Sequence, residues 1–560
     1  MAIKEESVRV GIRPAEQGED DVAGRPSVAA GPGLATIAGL IGGPRIDDLL
    51  ARAVGRAPDR VVLSTGDDDV TYRQLDERVQ ECATALRATY GQADVVVAVA
   101  MSLEPAFAVG FYAAARAGYR SALVNPLLRE EGLLHVLRTC RARVAIVPPA
   151  LYQRLSSLRE RLPDLDLVLV TRTDPGLTGA PTLAGWARHN GAEAAGTTLV
   201  PSRPGDADAV ACLQFTSGTT GLPKAVCLSH RNLLVNAAQT AYHHRLDEAS
   251  VLCNNLPGFH LMHLNITVNA AATMLLCDRS DPVAAISMAS HRRATHFYTI
   301  PMRLAALAKA PEFAELAAPS LRAVLSGGAP LPADAAIALS DQLRVPVVQG
   351  YGLAETAPSV HLADLDRPRP GSCGVPVPGT ETRIVDIDNR VVVPLGARGE
   401  IQVRGPQLMR GYLGRESTAD LTPDGWFATG DIGYLDADDH LFVVDRIKDV
   451  FKCDNWLVSP TQIERVLLRS PEIAECAVVD YPDQVHGAVA CAVILPRREA
   501  SRTGVDLANA ANATLPYYEQ LRYLAPMDHI PRSATGKIDR RQLRALVHDT
   551  ITLTPIGPQE

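Results

Sequence analysis

The chain lacks several features that would place it in a secreted, membrane or metal-binding class. Its ten cysteines occur singly, with no Cys-x-x-Cys pair, which argues against a disulfide framework and a zinc site. The N-terminus contains no apolar core, so we expect no signal peptide. The most apolar long stretch, 95–124, is interrupted by Glu104, Arg116 and Arg120, and we therefore expect no membrane span.

The chain also lacks a concentration of charge of one sign. Its 63 acidic and 55 basic residues are interspersed and give a net charge of −8. Neither a basic face, which would indicate a nucleic acid, nor a polybasic tail, which would indicate an anionic membrane, is found. The 560 residues, 47% of them hydrophobic, are typical of a globular protein with more than one domain. We predict a cytoplasmic protein that binds neither nucleic acid nor membrane; the sequence does not indicate an oligomeric state.

Short apolar runs alternate with longer amphipathic segments through most of the chain. Examples of such pairs are 95–101 with 106–117, 145–147 with 151–162, and 323–325 with 333–343. This alternation predicts an α/β fold with mostly parallel strands, in layered subdomains of a large N-terminal domain at 41–445. Residues 1–40 are rich in Gly, Pro, Ala and charge and show no period, so we predict a mobile extension there.

A smaller α+β unit is predicted at the C-terminal end. After Tyr412 the pattern changes to short strands and turns, and from Ser459 a separate set of helices and strands follows. The predicted helices lie at 460–468, around 505–515 and after Asp539, and the predicted strands at 476–479 and 488–495. We therefore expect a small C-terminal domain, 446–560, joined to the large one by a hinge near Lys448.

A loop of hydroxyls, glycines and one lysine is the most informative motif. It follows an apolar run at 209–215 that predicts a strand, and it consists of Thr216, Ser217, Gly218, Thr219, Thr220, Gly221, Leu222, Pro223 and Lys224. Glycines let backbone N–H groups crowd around an anion, hydroxyls donate further hydrogen bonds, and Lys224 adds a positive charge. It is not a Walker loop, because Lys224 does not follow a glycine and precedes Ala225. The loop predicts a triphosphate site, although alone it would be a polar surface turn.

Two further motifs carry groups suited to the rest of a nucleotide. Segment 349–356 has glycines that allow flat approach to a base or sugar, and offers Tyr351 as a stacking face and Glu355 as a hard oxygen ligand for Mg²⁺. Segment 424–431 ends in Asp431, whose two oxygens can accept hydrogen bonds from both hydroxyls of a ribose. On its own, an aspartate before a strand would more often be a cap or a turn residue.

Two basic motifs accompany the small domain. Segment 445–452 places three cations between the domains, and segment 531–540 holds Lys537 on a glycine-bearing loop before a helix that Asp539 caps. Each of these residues alone would be a linker charge or a surface lysine. The joint pattern of all five motifs outweighs those alternatives.

In this order and with these gaps, the five motifs resemble the adenylate-forming superfamily, which includes acyl-CoA synthetases, adenylation domains of nonribosomal peptide synthetases and beetle luciferases. The resemblance covers residues from about 45 to 550. It implies a reaction in two steps. A carboxylate attacks the α-phosphate of ATP and gives an acyl-AMP and pyrophosphate. The small domain then rotates, and a second nucleophile, usually the thiol of coenzyme A, displaces AMP.

The resemblance also implies roles for individual residues. Lys537 bridges the carboxylate and the α-phosphate, and rotation about Lys448 exchanges it for Lys452. His260 is the aromatic lid over the carboxylate pocket, and Glu355 binds Mg²⁺. The segment 327–330 resembles the one that flanks the adenine. The residues that contact ATP are Thr216, Ser217, Gly218, Thr219, Thr220, Gly221, Lys224, Gly328, Ala329, Pro330, Gln349, Gly350, Tyr351, Gly352, Asp431 and Arg446.

The pocket for the acid, also assigned by resemblance, is mixed and partly polar. Its candidate residues are Leu261, Met262, His263, Asn265, Ser326, Pro358 and Ser359. These side chains suit an aromatic or medium-chain acid better than a long unbranched one; core packing of some of them is the alternative. Between Asn254 and Cys277 there is no Asp or Glu to pair with an α-ammonium group, which disfavours an amino acid. The expected partners are a small organic acid and ATP.

Three positions depart from the family pattern. Ala225 replaces the glycine usual after the lysine of the loop, which excludes only unusual backbone angles. Ala354 stands where a Thr or Ser usually contacts the α-phosphate, and Thr356 is a candidate substitute. Asn455 replaces a glycine that lies beside the arm of coenzyme A. An acceptor other than coenzyme A is therefore an alternative: a carrier-protein thiol, an amine that forms an amide, or an amine that attacks activated nitrite. A non-catalytic relative kept for binding is the other alternative, which the intact Lys537 and Asp431 disfavour.

Overall fold

The described part of the chain forms five β-sheets with helices around them. In the computed structural model this part comprises residues 25–66, 68–193, 206–216, 223–415, 420–454, 456–532 and 538–556. Four of the sheets are built from the large N-terminal domain, and the fifth from the small C-terminal domain.

Two mostly parallel sheets form the centre of the large domain. One has seven strands, in the order Val347–Gln349, Ala323–Ser326, His296–Thr299, Val251–Asn255, Thr273–Leu276, Val61–Ser64 and Asp69–Thr71. The other has six strands, in the order Leu167–Val170, Val144–Val147, Val96–Ala100, Arg120–Val124, Val210–Phe215 and Ala225–Ser229. In each sheet only the last pair named is antiparallel. The predicted α/β class is confirmed.

Helices connect these strands and cover the sheets. In the large domain the helices span Asp48–Arg56, Tyr72–Tyr90, Pro105–Arg116, Glu130–Thr139, Pro149–Ser157, Leu183–Glu193, His230–His243, Leu261–Ala270, Pro282–His291, Pro301–Leu307 and Ala333–Leu343. Local capping explains where some of them begin. The hydroxyls of Thr71 and Ser229 each accept a hydrogen bond from the backbone N–H three residues later, in reciprocal capping boxes.

The predicted strand–helix pairs agree with these bounds except at one helix. The predicted helix at 333–343 is observed as Ala333–Leu343, and the predicted strand at 95–101 as Val96–Ala100. The helix predicted at 151–162 instead spans Pro149–Ser157, and a 3₁₀ turn, Arg159–Arg161, follows it. The apolar spacing continues through both segments, so the pattern alone did not indicate the break.

Two neighbouring helices are buried almost all round. Eleven residues of His230–His243 and nine of Leu261–Ala270 are buried, and the two helices pack on each other. A helix without a solvent face is a core element. Its polar side chains must therefore find hydrogen-bond partners inside the protein or remain without them.

Two antiparallel sheets complete the large domain. A five-stranded sheet has the order Val28–Ala30, Glu381–Val385, Gly399–Arg404, Phe427–Leu435 and Leu441–Arg446, and a three-stranded sheet the order Tyr351–Gly352, Ser359–Leu362 and Val375–Pro376. The first strand corrects the predicted extension at 1–40. Its residues 28–30 pair with 381–383, and Ile37 is fully buried. A three-residue strand whose partner is distant in sequence leaves no local period; residues 1–24 lie outside the described part.

The small domain is an α+β unit. Its sheet has the order Trp456–Val458, Phe451–Cys453, Gly487–Pro496, Leu521–Leu524 and Thr554–Pro555, with Ile473–Asp483 also paired to Gly487–Pro496. Its helices span Pro460–Leu467, Gly504–Asn512 and Arg540–Asp549. The set of helices and strands that was predicted from Ser459 begins earlier, because the strands at 451–458 belong to the same sheet. The boundary at 446 stays a prediction.

Two global expectations can be compared with the structure directly. All ten cysteines are buried and free, as expected of small apolar side chains in this sequence. None of the described helices has both the length and the apolarity needed to cross a bilayer.

Candidate active site

The candidate site lies where parallel strands of the seven-stranded sheet end. The strands Val251–Asn255, His296–Thr299, Ala323–Ser326 and Val347–Gln349 are neighbours and share one direction. Their carboxyl ends therefore meet at one edge, which is where open α/β sheets bind ligands. The predicted segments 327–330 and 349–352 begin at this edge.

The phosphate-type loop connects two antiparallel strands. Thr216 follows the strand Val210–Phe215, and its N–H donates to the carbonyl of Lys224 over 3.0 Å, which ties the two ends of the loop together. The ammonium of Lys224 lies 4.9 Å above the ring of Tyr412. The predicted phosphate ligands between these ends, Ser217, Gly218, Thr219, Thr220 and Gly221, lie outside the described residues.

Glu355 and Lys224 both contact Tyr412. Glu355 is 8% exposed, and its Oε1 accepts a hydrogen bond of 2.8 Å from the hydroxyl of Tyr412. Burial, with the nearby Glu355 carboxylate, raises the pKa of Tyr412 and keeps it a donor. A hard oxygen ligand thus stands beside a cation at the base of the loop, which is a suitable donor set for a metal-bound triphosphate. Sequence patterns did not single out Tyr412.

Thr356 is not available as the predicted substitute for a phosphate-binding hydroxyl. It is fully buried, its Oγ1 accepts a hydrogen bond of 3.0 Å from the N–H of Leu353, and it donates to the carbonyl of Pro358. Both functions of the hydroxyl are occupied by backbone. This part of the sequence interpretation is wrong, because turn geometry was not visible in the motif.

Asp431 is held by two partners at the antiparallel sheet. It is directly opposite Arg446 on the neighbouring strand, with Oδ1 2.9 Å from the guanidinium Nε. Its Oδ2 accepts a hydrogen bond of 2.7 Å from the hydroxyl of Tyr351. Burial raises the pKa of Asp431, and the charge of Arg446 opposes that shift. The structure thus brings together Tyr351, Asp431 and Arg446, which lie in three separate sequence motifs.

Gln349 and the glycines after it organise the backbone of the site. Gln349 accepts a hydrogen bond from the N–H of Leu331 over 2.7 Å and donates to the carbonyl of Gly371 over 3.0 Å, which fixes the 327–331 segment. A Cβ on Gly350 would lie 2.6 Å from the side chain of Leu362, and one on Gly352 1.9 Å from the carbonyl of Pro358. These glycines let two backbone segments approach each other. That these glycines also allow a nucleotide base or sugar to approach stays a prediction.

The segment between two of these strands remains exposed. Ala329 and Pro330 lie at the surface of the site edge, and Gly328 has a φ of +80°, a left-handed conformation that favours glycine. Gly327 comes next to Gly350, since a Cβ on Gly327 would lie 3.7 Å from the carbonyl of Gly350. The predicted adenine-flanking segment therefore lines the same edge as Tyr351.

Two family models match the chain, one in each predicted domain. The AMP-binding enzyme model matches residues 50–413, and the model of the AMP-binding enzyme C-terminal domain matches residues 462–537. The chain belongs to the AMP-binding enzyme family. It is thereby an enzyme of the adenylate-forming acid–CoA ligase group, with the large N-terminal and small C-terminal domains of that fold. The predicted family is confirmed.

Individual relatives place the chain among acid–CoA ligases. It is 32% identical over 501 residues to 4-coumarate–CoA ligase 5 of Oryza sativa subsp. japonica, which covers 86% of this chain and 89% of the relative. The crystal structure of an anthranilate CoA ligase in complex with anthranoyl-AMP superimposes with a TM-score of 0.78 at 25% identity, over 90% of this chain and 97% of that one. An amide bond synthetase from Marinactinospora thermotolerans has a TM-score of 0.76 at 24% identity, over 90% of this chain and 100% of that one, a likeness of fold.

In this AMP-binding enzyme His260 lies at the boundary between the phosphate loop and the predicted acid pocket. It caps the helix Leu261–Ala270, with Nδ1 accepting a hydrogen bond of 3.2 Å from the N–H of Met262. Its Nε2 lies 3.3 Å from the amide of Gln214, on the strand that leads into the phosphate-type loop. Burial lowers the pKa of His260 to about 4, so the ring is neutral at neutral pH. Gln214 was missed because it lies within an apolar run.

Five of the seven residues predicted for the acid pocket fall into two groups. Met262, Ser359 and Pro358 come together, because Ser359 donates to the sulfur of Met262 over 3.4 Å and follows Pro358 in the chain. Leu261 is 2% exposed within the main hydrophobic core, and Asn265 accepts a hydrogen bond of 3.0 Å from the hydroxyl of Tyr112. The core-packing alternative fits this second pair.

Two other predicted pocket residues have buried polar atoms without protein partners. Within the described residues, Nδ1 of His263 and Oγ of Ser326 make no hydrogen bond. Asn254, which sequence analysis used only as a boundary, has neither its Oδ1 nor its Nδ2 paired. It is fully buried and lies one residue before the end of its strand.

The predicted second-step residues lie on the small domain. Lys452 is on the strand Phe451–Cys453, and its ammonium is 2.7 Å from a carboxylate oxygen of Asp388 in the large domain. Lys448 lies in the turn between the last strand of the large domain and that strand. The predicted bridging residue, Lys537, lies outside the described residues, as does Asn455.

Proposed function

We propose that the protein activates a small organic acid with ATP, forms an acyl-adenylate and pyrophosphate, and transfers the acyl group to coenzyme A. The observation that carries this proposal is the pairing of Asp431 with Arg446 and Tyr351 near the strand ends. It gives a buried acceptor whose geometry is fixed before a ribose arrives. Preorganised polar groups of this kind lose little free energy when the ligand binds.

In this proposal Lys224 binds the triphosphate directly, and Glu355 binds it through a metal ion. Lys224 and the loop it closes bind the phosphates, and Glu355 holds Mg²⁺, whose charge offsets that of the triphosphate. Lys537 bridges the acid carboxylate and the α-phosphate, where negative charge develops in the transition state. The neutral ring of His260 covers the carboxylate without competing for a proton.

We further propose that the acid is aromatic or of medium length. The names of two similar proteins, 4-coumarate–CoA ligase and anthranilate CoA ligase, support an aromatic acid. The mixed lining of Met262, His263 and Ser359 supports the same size class. A long unbranched chain would need a continuous apolar channel, which these side chains do not favour.

Coenzyme A is the proposed acceptor, with an amine as the second candidate. Asn455, in place of a glycine, and the fold shared with an amide bond synthetase favour that second candidate. For either acceptor, the small domain rotates about Lys448 between the steps, because Lys452 and Lys537 belong to the same domain. Lys448→Pro fixes φ at the pivot and is expected to slow transfer several-fold while adenylation persists. Equal losses in both steps would contradict this pivot.

One experiment tests the proposed function as a whole. Acid-dependent exchange of pyrophosphate into ATP is measured over a panel of aromatic and aliphatic acids, with and without Mg²⁺. Products of the best acid are then identified by mass spectrometry with coenzyme A, with an amine, and with neither. We expect exchange that stops in excess EDTA and a thioester that appears only with coenzyme A. Absence of exchange with every acid would overturn the proposal, and a thioester-free amide product would select the second acceptor.

A further inference from the structure

A fully buried asparagine at the edge of the site has no hydrogen-bond partner. Asn254 is 0% exposed, and among the described residues neither its amide oxygen nor its amide nitrogen is paired. Almost all buried polar side chains in folded proteins are paired, so one with both functions unpaired calls for an explanation. Its position at the carboxyl end of a parallel strand is where this fold class binds its ligand.

The neighbouring residue shows that the strand itself does not cause this. Asn255 is equally buried, yet its Nδ2 donates to the carbonyl of Arg279 over 2.8 Å and its Oδ1 accepts from the hydroxyl of Thr299 over 3.0 Å. Successive side chains of a strand point to opposite faces of the sheet. The face of Asn255 is thus completed by protein groups, and the face of Asn254 is not.

The open face is the one covered by the helix that carries His263. Asn254 is opposite Tyr298 on the neighbouring strand, and the ring of Tyr298 meets that of His263 edge-on at 4.8 Å. The Nδ1 of His263 is the second unpaired buried atom, whereas the hydroxyl of Tyr298 is already bonded to His244 at 3.0 Å. Two unpaired groups, from a strand and a helix, therefore flank one aromatic ring.

The segment that carries both residues is uncharged, and the nearby Arg303 donates to the carbonyl of Asn255 over 2.9 Å. Residues 249–277 contain no Asp, Glu, Lys or Arg. Burial and the neighbouring His260 lower the pKa of His263, so its ring is neutral. The ring centroids of His260 and His263 are 6.0 Å apart, so His263 is a direct neighbour of the residue proposed to cover the carboxylate.

We infer that the acid carries an uncharged group that both donates and accepts hydrogen bonds, a hydroxyl or a carboxamide, and that Asn254 and His263 bind it. The donor and the acceptor of Asn254 both lack partners, so a group with only one function would leave the other unpaired. Neither Asn254 nor the neutral ring of His263 offers a counter-charge, so a charged substituent bound between them would bear a large cost of desolvation. This inference rests on the proposed function and specifies its substrate class.

Stability without ligand gives the first test. Asn254→Leu replaces the unpaired amide with an apolar group of similar size, so we expect a Tm equal to or above that of the wild type. Asn255→Leu, the matched control, removes the side-chain hydrogen bonds to Cys277, Arg279 and Thr299 and is expected to lower the Tm. If Asn254→Leu lowers the Tm as Asn255→Leu does, or prevents folding, Asn254 serves the fold and the inference is overturned.

Substrate discrimination gives the second test, by pyrophosphate exchange with pairs of acids that differ by one substituent. The pairs are benzoate and cinnamate against their 2-, 3- and 4-hydroxy and carboxamide derivatives. We expect the wild type to prefer at least one substituted acid by about 10-fold or more in kcat/KM. Asn254→Leu and His263→Phe should each bring that ratio close to one, with the KM for ATP unchanged.

The outcomes separate this inference from the proposed function. If the wild type prefers the unsubstituted acid in every pair, or if both variants retain the wild-type ratio, the inference is wrong while the ligase activity stands. If no acid supports exchange, the proposed function fails, and the inference fails with it.

Discussion

The two halves of the candidate site differ in how their buried polar groups are satisfied. In the nucleotide half, Asp431 is bound by Arg446 and Tyr351, and Glu355 by Tyr412. In the acid half, Asn254 and Nδ1 of His263 have no partner among the described residues. The first half is completed by the protein itself, and the second is left incomplete.

Charge explains the difference. An ionised carboxylate buried without a partner costs far more than a neutral amide or imidazole, so Asp431 and Glu355 need protein partners in the absence of ligand. Neutral groups can remain unpaired at a smaller cost, which the fold tolerates at a functional site. Under the proposed function, unpaired neutral groups select the acid, and paired charged groups hold the shape of the nucleotide site.

Lys537→Ala should have the largest effect, since this lysine is proposed to join the two halves. We expect acid-dependent pyrophosphate exchange to fall by about 100-fold or more, because the cation acts where charge develops. Nucleotide binding, measured by fluorescence titration, should change little. Lys309→Ala removes an exposed lysine outside the site and should match the wild type. Near wild-type exchange in Lys537→Ala would contradict the bridging role.

Asp431→Asn tests the nucleotide half, in which protein groups pair the buried carboxylates. Loss of the charge weakens both the pair with Arg446 and the acceptor for the ribose, so we expect the KM for ATP to rise about 10- to 100-fold. The preference among acids should stay unchanged. An equal change in the KM values for ATP and for the acid would show that the two halves are not independent.

Acid pH should destabilise the protein through its buried neutral histidines, among them the two of the acid half. Burial lowers the pKa of His260 to about 4, and burial together with the neighbouring His260 lowers the pKa of His263 well below the ordinary value of about 6.5. Their contribution to stability is therefore complete above pH 6.5 and is lost as the pH falls toward 4. For His260 we expect a loss of about 2 kcal/mol between pH 7.5 and 5. Thermal unfolding across this range measures it; a Tm that stays constant down to pH 5 would contradict the burial of neutral histidines.

Asp388→Asn should have the smallest effect. Its ion pair with Lys452 is exposed, and such pairs contribute about 1 kcal/mol or less. We expect the Tm and the rate of adenylation to remain within error of the wild type, with transfer changed by less than about twofold. A large loss in transfer alone would instead mean that this pair controls the position of the small domain.

Local patterns were sufficient for much of the fold. The strand Ala323–Ser326 and the helix Ala333–Leu343 were predicted to within one residue, because the alternation of side chains along a short segment depends on neighbours in sequence. The short strand Val28–Ala30 was missed, since its pairing with 381–383 is a property of two distant segments.

The sequence by itself determined the family, the order of the motifs and the residue types suited to binding ATP. Each motif is a short run of consecutive residues, so it can be recognised without the fold. Only the tertiary structure decided how these residues are used. Asn254 and Asn255 are identical and adjacent, yet one is paired and the other is not, because the partners Thr299 and Arg279 come from other strands and loops. Hydrogen bonds between distant segments exist only after the chain has folded, and here they distinguish a paired asparagine from the one that we propose binds the acid.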